Sequence, residues 1–425
     1  MRLAPGTPVS ASFAFGPDAE MPVGRLALDN AAVAQFEYDR RFLGGTLRLD
    51  PRKAPQPGLV PASEPRIFDG LHGVFADSLP DAWGRALLRR RADQLGIAFG
   101  TLRGIDLLAC TGRQGPGALV YAPGFAAPDG AGGTLDLDAL ERLAREARAI
   151  ETGGERGAAL EELVRLGGSS GGARPKILVG MNDAGQLVPD DERLPDGYAP
   201  WIVKFRSTTN DVPDIGPLEA AYADMARAAG LEVAETRLIA TRAGPGYFAT
   251  RRFDRGPNGA RHHLLSAAAT LEADWSVPIF SYELLLRLTR VATRDQRSVE
   301  AVFRRAAFNV VAHNRDDHLK QHAFLMAADG RWRAAPSYDL TFNYGFNQSG
   351  HYLTVAGEDR DITNADLLTL AIEADIRADA ARRIIEQVHD AVAGFDDHAA
   401  RYAVTAATRA EVANALRTIE KPHGQ

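Results

Sequence analysis

The sequence predicts an α+β fold in which a β-rich N-terminal half is followed by a mostly α-helical C-terminal half. Residues 8–50 alternate apolar and polar side chains between turn signals, which is the period-two pattern of antiparallel strands. From about residue 265 the apolar residues recur with helical spacing, as in "SYELLLRLTRVA" and "ADAARRIIEQVHDAVAGF". With 425 residues, 45% of them hydrophobic, the chain is long enough for two or three domains with their own cores.

The N-terminal part predicts a small antiparallel sheet, a helix and a further strand. The predicted strands within 8–50 are "VSASFAF", "QFEYDRRFL" and "TLRLD". Asp81 is a candidate N-cap for the helix that follows, and Gly96 is a candidate stop. "DLLACTGRQGPGALVYAP" predicts a helix end and a strand, and the Gly, Ala, Asp and Pro residues of 123–134 predict a linker. A helical stretch over about 136–165 comes next.

The rest of the chain predicts a second β-rich unit and then the helical part. "GGSSGGARPKILVG" is a Gly-rich loop leading into a strand, "PWIVKFRS" is a short strand, and "PLEAAYADMARAAGL" is an amphipathic helix. "ETRLIATRAGPGYFATRRFDR" predicts strand, turn and strand, and "HAFLMAADGRWRAAPSYDL" predicts a hairpin with its turn at "ADG". We therefore predict three domains, at 1–125, 150–258 and 262–425.

Charge, cysteine content and hydropathy narrow the class of protein. The chain has 49 basic and 55 acidic residues, a net charge of −6, which argues against a protein that wraps nucleic acid. The single cysteine, Cys110, excludes a disulfide framework and a Cys-based zinc site, and this indicates a reducing cytoplasm. The N-terminus lacks the pattern of a secretory signal, and no segment reaches about 18 uninterrupted apolar residues. We expect a cytoplasmic protein without membrane contact.

Candidate catalytic side chains are most concentrated in "HNRDDHLKQHAFLM", residues 313–326, which contains two aspartates, three histidines and a lysine. Its core "RDDHLKQ" has the spacing of a protein-kinase catalytic loop, with Asp316 followed five residues later by a metal-ligand position at Gln321. In that arrangement Asp316 orients the proton of an acceptor hydroxyl, and Lys320 neutralises charge on the γ-phosphate. His318 would order the loop by hydrogen bonding. A solvated loop is the alternative for the segment taken alone.

Phosphoryl transfer also needs a phosphate-binding loop, a strand lysine with a glutamate partner, and a metal-binding aspartate. Residues 167–176 can bring backbone amides against phosphate oxygens, although a Gly/Ser linker is the alternative. Lys204 lies in an apolar strand and must reach an anion or the surface, and Glu219 is either its partner or a glutamate favoured by the helix dipole. Asp339 follows the hairpin, where it is either a metal ligand or a cap. These pieces occur in the chain order of protein kinases.

Three histidines support a second interpretation, a metal-dependent hydrolase. His313, His318 and His322 lie near Asp316 and Asp317, and His318 and His322 have the i, i+4 spacing of one helix face. Because "HAFLM" predicts a strand, that helical spacing would not hold. The interpretation also leaves the strand lysine and the Gly-rich loop without a role.

Together these motifs resemble the HipA family of serine/threonine kinases, the toxin half of bacterial HipBA-type toxin–antitoxin pairs. "FDGLHGVFADSLPDAWGRALLRRR" and "DLLACTGRQGPGAL" resemble its N-terminal domain, "SSGGARPKILV" its phosphate-binding loop and "WIVKF" its lysine strand. "FATRRFDR" resembles the hinge strand, and "NRDDHLKQHAF" with "PSYDL" the catalytic and metal-binding motifs. The resemblance implies a two-lobed protein-kinase-like fold, with a nucleotide-binding N-lobe at 150–258 and a helical C-lobe at 262–425, behind an extra β/α domain.

The resemblance implies ATP and Mg²⁺ as cofactors and assigns a set of site residues. With the residues above, the predicted site comprises catalytic Asp316 and Lys320; nucleotide-binding Ser170, Gly171, Gly172, Ala173, Lys176, Lys204, Glu219, Arg251, Arg252, Phe253 and His318; and metal-binding Gln321 and Asp339. The backbone of 251–253 would be the hinge around adenine. Ser169 matches the serine that family members autophosphorylate, and Ser170 beside it is the alternative.

The resemblance also implies partners. Family substrates include aminoacyl-tRNA synthetases, and the usual partner is a small helix-turn-helix antitoxin, HipB, that binds operator DNA. We therefore expect a protein substrate, a HipB-like antitoxin, and contact with DNA only through that antitoxin. The net charge of −6 is consistent with this indirect contact.

Gln321 departs from the family pattern, in which this position is usually asparagine. Glutamine places its amide oxygen one methylene farther out, whereas Mg²⁺ requires near-octahedral geometry with short oxygen distances. Two hypotheses follow. The chain is an active Mg-ATP-dependent protein serine/threonine kinase, or it is a weakened pseudokinase that acts as an ATP-responsive binding partner of the antitoxin.

Overall fold

The computed structural model describes residues 1–125, 133–154, 159–167, 172–190, 193–209, 211–242, 244–345 and 350–416. The strands are β1 Val9–Gly16, β2 Ala19–Leu28, β3 Ala34–Tyr38, β4 Leu59–Pro61, β5 Leu119–Ala122, β6 Lys176–Asn182, β7 Leu187–Pro189, β8 Tyr198–Lys204, β9 Thr236–Ile239, β10 Tyr247–Arg251, β11 His263–Ser266, β12 Phe280–Ser281, β13 Ala323–Met326, β14 Trp332–Ala334 and β15 Leu353–Thr354. The α-helices are α1 Arg40–Leu43, α2 Gly73–Ala76, α3 Ala82–Gln94, α4 Gly104–Thr111, α5 Leu137–Glu151, α6 Leu160–Gly167, α7 Ile215–Ala228, α8 Ala267–Leu271, α9 Tyr282–Thr293, α10 Gln296–Val311, α11 Asn364–Glu373, α12 Ala378–Ala393, α13 Phe395–Arg401 and α14 Ala406–Leu416. The predicted α+β class is confirmed.

The first sheet, called the N-terminal sheet, is antiparallel in the order β4-β3-β2-β1-β5. The prediction of a strand in "VSASFAF" is confirmed. The prediction in "QFEYDRRFL" is confirmed only for its first part, because β3 ends at Tyr38 and Arg40–Leu43 form α1, which Asp39 caps. The prediction of a strand in "TLRLD" is wrong. There the chain leaves α1 through Gly44, and Asp50 Oδ1 accepts from Arg52 N at 2.8 Å. This side-chain turn replaces the ladder hydrogen bonds that a strand would need.

The second sheet, called the central sheet, is antiparallel in the order β7-β6-β8-β10-β9. The helical stretch predicted over 136–165 is two helices, α5 and α6, whose buried leucines pack against this sheet. Of the predicted linker 123–134, residues 126–132 lie outside the described residues. The sheet and these helices form the smaller lobe of the fold.

Helices α7 and α9–α13 surround one large apolar core and form the larger lobe. Its three-stranded sheet has the order β11-β13-β14, and β13 and β14 are the predicted hairpin. The turn of that hairpin lies at "ADG", as predicted, and its Gly330 has a φ of 81°. In the part of the chain that the structure describes, no helix combines the length and hydropathy needed to cross a membrane.

The N-terminal part of the chain packs against both lobes. Met326 and Trp332 of the hairpin join the apolar core of the N-terminal sheet. On the other side, Trp83 and Leu87 of α3 join the core of the central sheet. As predicted, Asp81 is the N-cap of α3, where its side chain accepts from Gly84 N at 2.7 Å, and Gly96 follows the helix in a left-handed conformation. Leu88 of the same helix packs against the core of the N-terminal sheet, so α3 is shared between the two cores.

His263 lies at the junction between the N-terminal sheet and the hairpin, and it makes stability depend on pH. Its ring is fully buried between Phe13 and Trp332, Nε2 lies 3.0 Å from the Leu49 carbonyl oxygen, and burial lowers its pKa to about 4. In the unfolded chain a histidine binds a proton near pH 6.5. Because the unfolded state then binds more protons, the free energy of unfolding should fall as pH drops from about 6.5 to about 4, by about 3 kcal/mol from this residue.

Urea denaturation of the wild type and His263→Gln between pH 7 and pH 4 measures this effect. Glutamine retains a donor for the Leu49 carbonyl but does not titrate, so the variant should show a shallower loss of stability towards acid. Equal slopes for the two proteins would contradict the assignment to His263.

Candidate active site

The loop that carries Asp316 is joined to the chain that follows Asp339. It begins directly after α10, where His313 has a φ of 50° and turns the chain out of the helix. The backbone N–H of Asn343 donates to the His313 carbonyl at 3.0 Å, and Asn314 and Asn343 form a parallel bridge. The two segments therefore lie side by side, as the candidate acceptor and metal positions require.

Asp316 lies among aromatic side chains near the cleft, our name for the region between the smaller and larger lobes where Lys204 meets Asp339. Its carboxylate is 42% exposed, and Oδ1 is 3.8 Å from Nε2 of His318. The His318 ring packs against Trp275, with 4.5 Å between ring centroids, and meets Tyr352 edge-on at 5.5 Å. Burial raises the pKa of Asp316, His318 opposes that shift, and the charge of Asp339 adds to it. Trp275 and Tyr352 lie far from Asp316 along the chain and could not be identified from the motif that contains it.

Lys204 joins the two lobes at the centre of the cleft. Its ammonium donates to Glu219 Oε1 of α7 at 2.9 Å and is also hydrogen bonded to Asp339 Oδ1. Burial opposes the charge of Lys204, but Asp339 and Glu219 outweigh it and raise the pKa of the lysine. Asp339 has a φ of 52°, a backbone conformation that non-glycine residues rarely adopt and that clusters at functional sites. The structure thus brings together the strand lysine, the helix glutamate and the aspartate after the hairpin.

The carboxylate of Asp339 is held in its ionised form. Burial opposes ionisation, but Lys204, Lys176 and Arg174 together lower its pKa to about 2. The side chain still has 29% of its surface exposed towards the cleft. An ionised, accessible carboxylate of this kind is what a hard divalent cation binds.

Arg174 is a residue of the site that the sequence analysis did not identify. Its guanidinium donates from Nη1 to Glu219 Oε1 at 2.7 Å and from Nε to Asp211 Oδ1 at 2.8 Å. It therefore shares Glu219 with Lys204 and places a second fixed cation at the same carboxylate. The signal was available in "ARPK", where two basic residues flank a proline directly after the Gly-rich loop.

Gly172 and Lys176 lie against Asp339. A Cβ at Gly172, whose φ is 94°, would stand 2.9 Å from Lys176 Nζ and 3.7 Å from Asp339 Oδ2. The positive φ favours glycine at this position, and a Cβ there would require the Lys176 ammonium to shift. Ala173 is exposed beside it. The other predicted members of this loop, Ser169, Ser170 and Gly171, lie outside the described residues.

Lys320 and Gln321 form the end of the loop, in a 3₁₀ helix Leu319–Gln321. The ammonium of Lys320 lies 5.6 Å from the centre of the Trp275 ring, and Lys320 opposes the burial that raises the pKa of Asp77. The Tyr338 hydroxyl donates to the Lys320 carbonyl at 2.6 Å, which ties this end of the loop to the residue before Asp339. Both side chains are half-buried. Their predicted catalytic and metal-binding roles stay predictions.

The predicted hinge residues differ in their surroundings. Arg251 is exposed, whereas the Arg252 guanidinium is buried in ion pairs with Asp190 at 3.1 Å and Asp254 at 2.9 Å. Phe253 stacks on Tyr338, with 5.4 Å between ring centroids, and so lies against the residue that precedes Asp339. The predicted contact of this backbone with adenine stays a prediction.

Asp317, next to Asp316, is fully buried and holds the loop in place through hydrogen bonds. Its carboxylate accepts from the Tyr282 hydroxyl at 2.7 Å and from the backbone N–H of Tyr352 at 2.8 Å, and Oδ2 lies 2.8 Å from His351 Nδ1. Burial raises the pKa of Asp317, but His351 and Tyr282 outweigh it, and the net pKa is lowered. Asp317 thereby fastens residues 351–352 to the loop that carries Asp316.

The three histidines of the hydrolase interpretation do not converge. His313 stacks on Phe342, His318 packs against Trp275, and His322 lies edge-on to Tyr282 with Nε2 near the Asp317 carbonyl. Among the described residues, no three histidine, cysteine, aspartate or glutamate side chains are grouped to hold a metal ion. A site with two protein ligands, whose remaining positions are taken by water and substrate phosphates, is instead typical of Mg²⁺ in phosphoryl-transfer enzymes.

A cavity of about 460 Å³ lies elsewhere, between β1, α3, α4 and β5. Leu87, Arg91, Cys110 and Val120 are among the residues that line it. None of its lining residues belongs to the predicted site. The candidate active site is therefore not this cavity but the region where Lys204 meets Glu219 and Asp339.

The residues of the cleft fit a magnesium–nucleotide complex. The two predicted metal ligands, the Asp339 carboxylate and the Gln321 amide, would each supply an oxygen, which Mg²⁺ prefers. Gly172 leaves a space beside Lys176 that a Cβ would fill, and His318 Nδ1 is buried with no hydrogen-bond partner among the described residues. The cations Lys204 and Arg174 complement the charge of phosphates, although Lys204 must share or release Asp339 when a metal binds there.

The fold and the cleft together define a two-lobed, protein-kinase-like architecture with an additional N-terminal domain. The family of HipA-like C-terminal domains matches residues 168–395, and the family of HipA N-terminal domains matches residues 19–122. The chain belongs to the HipA family. This confirms the resemblance drawn from the motifs.

A solved HipA structure has the same fold. The HipA chain of a Shewanella oneidensis MR-1 toxin–antitoxin complex of HipA, HipB and operator DNA is 18% identical, with a TM-score of 0.66, over 97% of this chain and 100% of that one. A Helicobacter pylori proinflammatory kinase, CtkA, is 15% identical, with a TM-score of 0.34, over 55% of this chain and 89% of that one. A comparison with curated protein sequences found no match.

Proposed function

We propose that this protein is a Mg-ATP-dependent protein serine/threonine kinase of HipA type. The observation that carries the proposal is the ammonium of Lys204, which is bonded to Glu219 and to Asp339 while Asp316 lies in the adjoining loop. This is the arrangement that phosphoryl transfer requires, because positioning and charge neutralisation supply most of its catalysis. Family membership supports the same reaction class.

In the proposed reaction, each side chain has a separate task. Lys204, held by Glu219, would bind phosphate oxygens of ATP, and Gly172 would let the backbone approach them. Asp339 and Gln321 would hold Mg²⁺, which neutralises charge on the transferring phosphoryl group. Asp316 would orient the acceptor hydroxyl and accept its proton, and Lys320 would face the γ-phosphate. Phosphate oxygens would also lie within reach of Lys176 and Arg174.

We further propose the biological setting of a toxin. The Shewanella HipA is bound to HipB and operator DNA, which supports a HipB-like helix-turn-helix antitoxin as partner and contact with DNA only through it. The proposed acceptor is a protein of translation, such as an aminoacyl-tRNA synthetase. Autophosphorylation at Ser169, or at Ser170 beside it, is proposed as the means of silencing the enzyme. The cytoplasm is the proposed location.

Transfer of label from γ-labelled ATP tests the proposal. Wild-type protein with Mg²⁺ should label itself or one member of a panel of purified aminoacyl-tRNA synthetases, and EDTA should abolish the label. Intact mass of the protein purified from cells should show an added phosphate if autophosphorylation occurs. Absence of transfer with both Mg²⁺ and Mn²⁺ would overturn the kinase assignment.

The pseudokinase is the second candidate, and Gln321 is the observation that favours it. Its longer side chain moves the amide oxygen away from the position that the family's asparagine supplies. In that case ATP should raise the melting temperature without transfer of label, and Gln321→Asn should restore transfer. If ATP neither stabilises the protein nor labels it, both candidates fail.

A further inference from the structure

We propose that Asp81, in the N-terminal part of the chain, is a positioning residue that sets nucleotide affinity through Lys176. The inference rests on the proposed function and adds to it a part of the molecule outside the two kinase-like lobes. Its basis is an ion pair between Asp81 Oδ2 and Lys176 Nζ at 3.2 Å, with 6% and 3% of the two side chains exposed.

The carboxylate of Asp81 makes two different bonds. Oδ1 accepts from Gly84 N at 2.7 Å and caps α3, whereas Oδ2 accepts from Lys176. A buried ammonium is costly unless a carboxylate offsets its lost hydration. Oδ2 therefore has a task that helix capping does not require.

The backbone of Lys176 is fixed by the same helix. The indole N–H of Trp83, two residues after Asp81, donates to the Lys176 carbonyl at 3.0 Å, and this bond is buried. A Cβ on Gly167 would stand 2.4 Å from Leu87 of α3, so the chain before the Gly-rich loop also passes close to this helix. The helix α3 thus holds both the main chain and the side chain at the start of β6.

The other side of the Lys176 ammonium faces the cleft. Lys176 Nζ and Asp339 Oδ2 both lie within 4 Å of the position that a Cβ on Gly172 would take, at 2.9 Å and 3.7 Å. Lys176 therefore lies between Asp81 and the space proposed for the phosphates. Without Asp81, the ammonium would move towards Asp339 and compete with the metal for that carboxylate.

The variant Asp81→Asn separates charge from capping. Asparagine is as good an N-cap as aspartate, so α3 should stay capped. At Oδ2, however, the variant presents either an uncharged oxygen or an N–H₂ group to the ammonium, and the charge-assisted bond is lost. We expect the KM for ATP to rise by about tenfold, a loss the size of one charge-assisted hydrogen bond, while kcat changes less than twofold.

A double-mutant cycle decides whether Asp81 acts through Lys176. Asp81→Asn should raise the KM for ATP in the wild type but have less than a twofold effect in a Lys176→Met background. The matched control is Asp136→Asn, because Asp136 caps α5 by the same kind of bond, to Ala139 N at 2.8 Å, on the exposed surface. That variant should leave the KM unchanged.

Hydrogen exchange gives a readout that does not depend on turnover. If the ion pair couples α3 to the nucleotide, adding Mg²⁺ with a non-hydrolysable ATP analogue should slow exchange in residues 82–94 of the wild type but not of Lys176→Met. An unchanged KM in Asp81→Asn, or equal effects in both backgrounds, would overturn this inference while the kinase assignment stands. Failure of the wild type to bind ATP would instead overturn the proposed function.

Discussion

Replacing Asp316 with asparagine should lower the rate of phosphoryl transfer by about 10³-fold. Asparagine has nearly the same shape but cannot accept the proton of an acceptor hydroxyl. Because burial and neighbouring carboxylates raise the pKa of Asp316, the fold disfavours its charge, and the variant should be as stable as the wild type or slightly more so. The raised pKa also means that kcat/KM should fall in acid at a higher pH than for an ordinary aspartate.

Single-turnover transfer from γ-labelled ATP measures the rate, and intact mass after expression gives an independent result. The wild type should carry an added phosphate that Asp316→Asn lacks. The affinity for ATP, measured by thermal shift, should change less than twofold, because the proposed task of Asp316 is to face the acceptor rather than the nucleotide. If Asp316→Asn transfers label at a rate close to that of the wild type, Asp316 is not the catalytic aspartate.

The site could be predicted to the extent that its residues lie in short, ordered motifs. Lys204, Glu219, Asp316 and Asp339 were each ambiguous alone, but their order along the chain matched one kind of chemistry. The structure brings Lys204, Glu219 and Asp339 into direct contact. Turn chemistry was equally readable, as the Asp81 cap and the Gly330 turn show.

The contacts that depend on distant partners could not be predicted. Arg174 meets Glu219 across 45 residues, and Asp81 meets Lys176 across 95. Local spacing carries no information about such pairs. The prediction of a strand in "TLRLD" was wrong for a related reason. Alternation of apolar and polar residues does not show whether a neighbouring strand is present to complete the hydrogen-bonded ladder.

The role of Asp317 also could not be predicted from its local sequence. Of the substitutions considered, its replacement should lower the stability of the protein most. From the sequence it was only a neighbour of Asp316, yet its partners lie up to 35 residues away and its carboxylate is fully buried. Asp317→Ala leaves the Tyr282 hydroxyl and the backbone N–H of Tyr352 without their acceptor. We expect a loss of about 3–5 kcal/mol in the free energy of unfolding and a melting temperature about 5 °C lower.

Two measurements distinguish the loss of these hydrogen bonds from a general loss of packing. They are the pH dependence of the stability difference and its non-additivity with a change at Tyr282. Since the pKa of Asp317 is lowered in the folded state, its stabilisation is present above the unfolded value near 3.9 and is lost as pH falls through the folded pKa. The difference between wild type and variant should therefore be largest near pH 7 and shrink in acid. Tyr282→Phe combined with Asp317→Ala should destabilise less than the sum of the single changes, because one hydrogen bond is counted in both.

The adjacent residue supplies the control. Asp316→Ala removes a carboxylate that is 42% exposed and whose ionised form the fold disfavours, so stability should change little while transfer is lost. Asp317→Ala should instead lower the free energy of unfolding strongly. It should lower activity only indirectly, by loosening residues 351–352 beside Asp316. Equal changes in melting temperature for the two variants would contradict the division of tasks between these neighbouring aspartates, one facing the acceptor and the other fastening the loop.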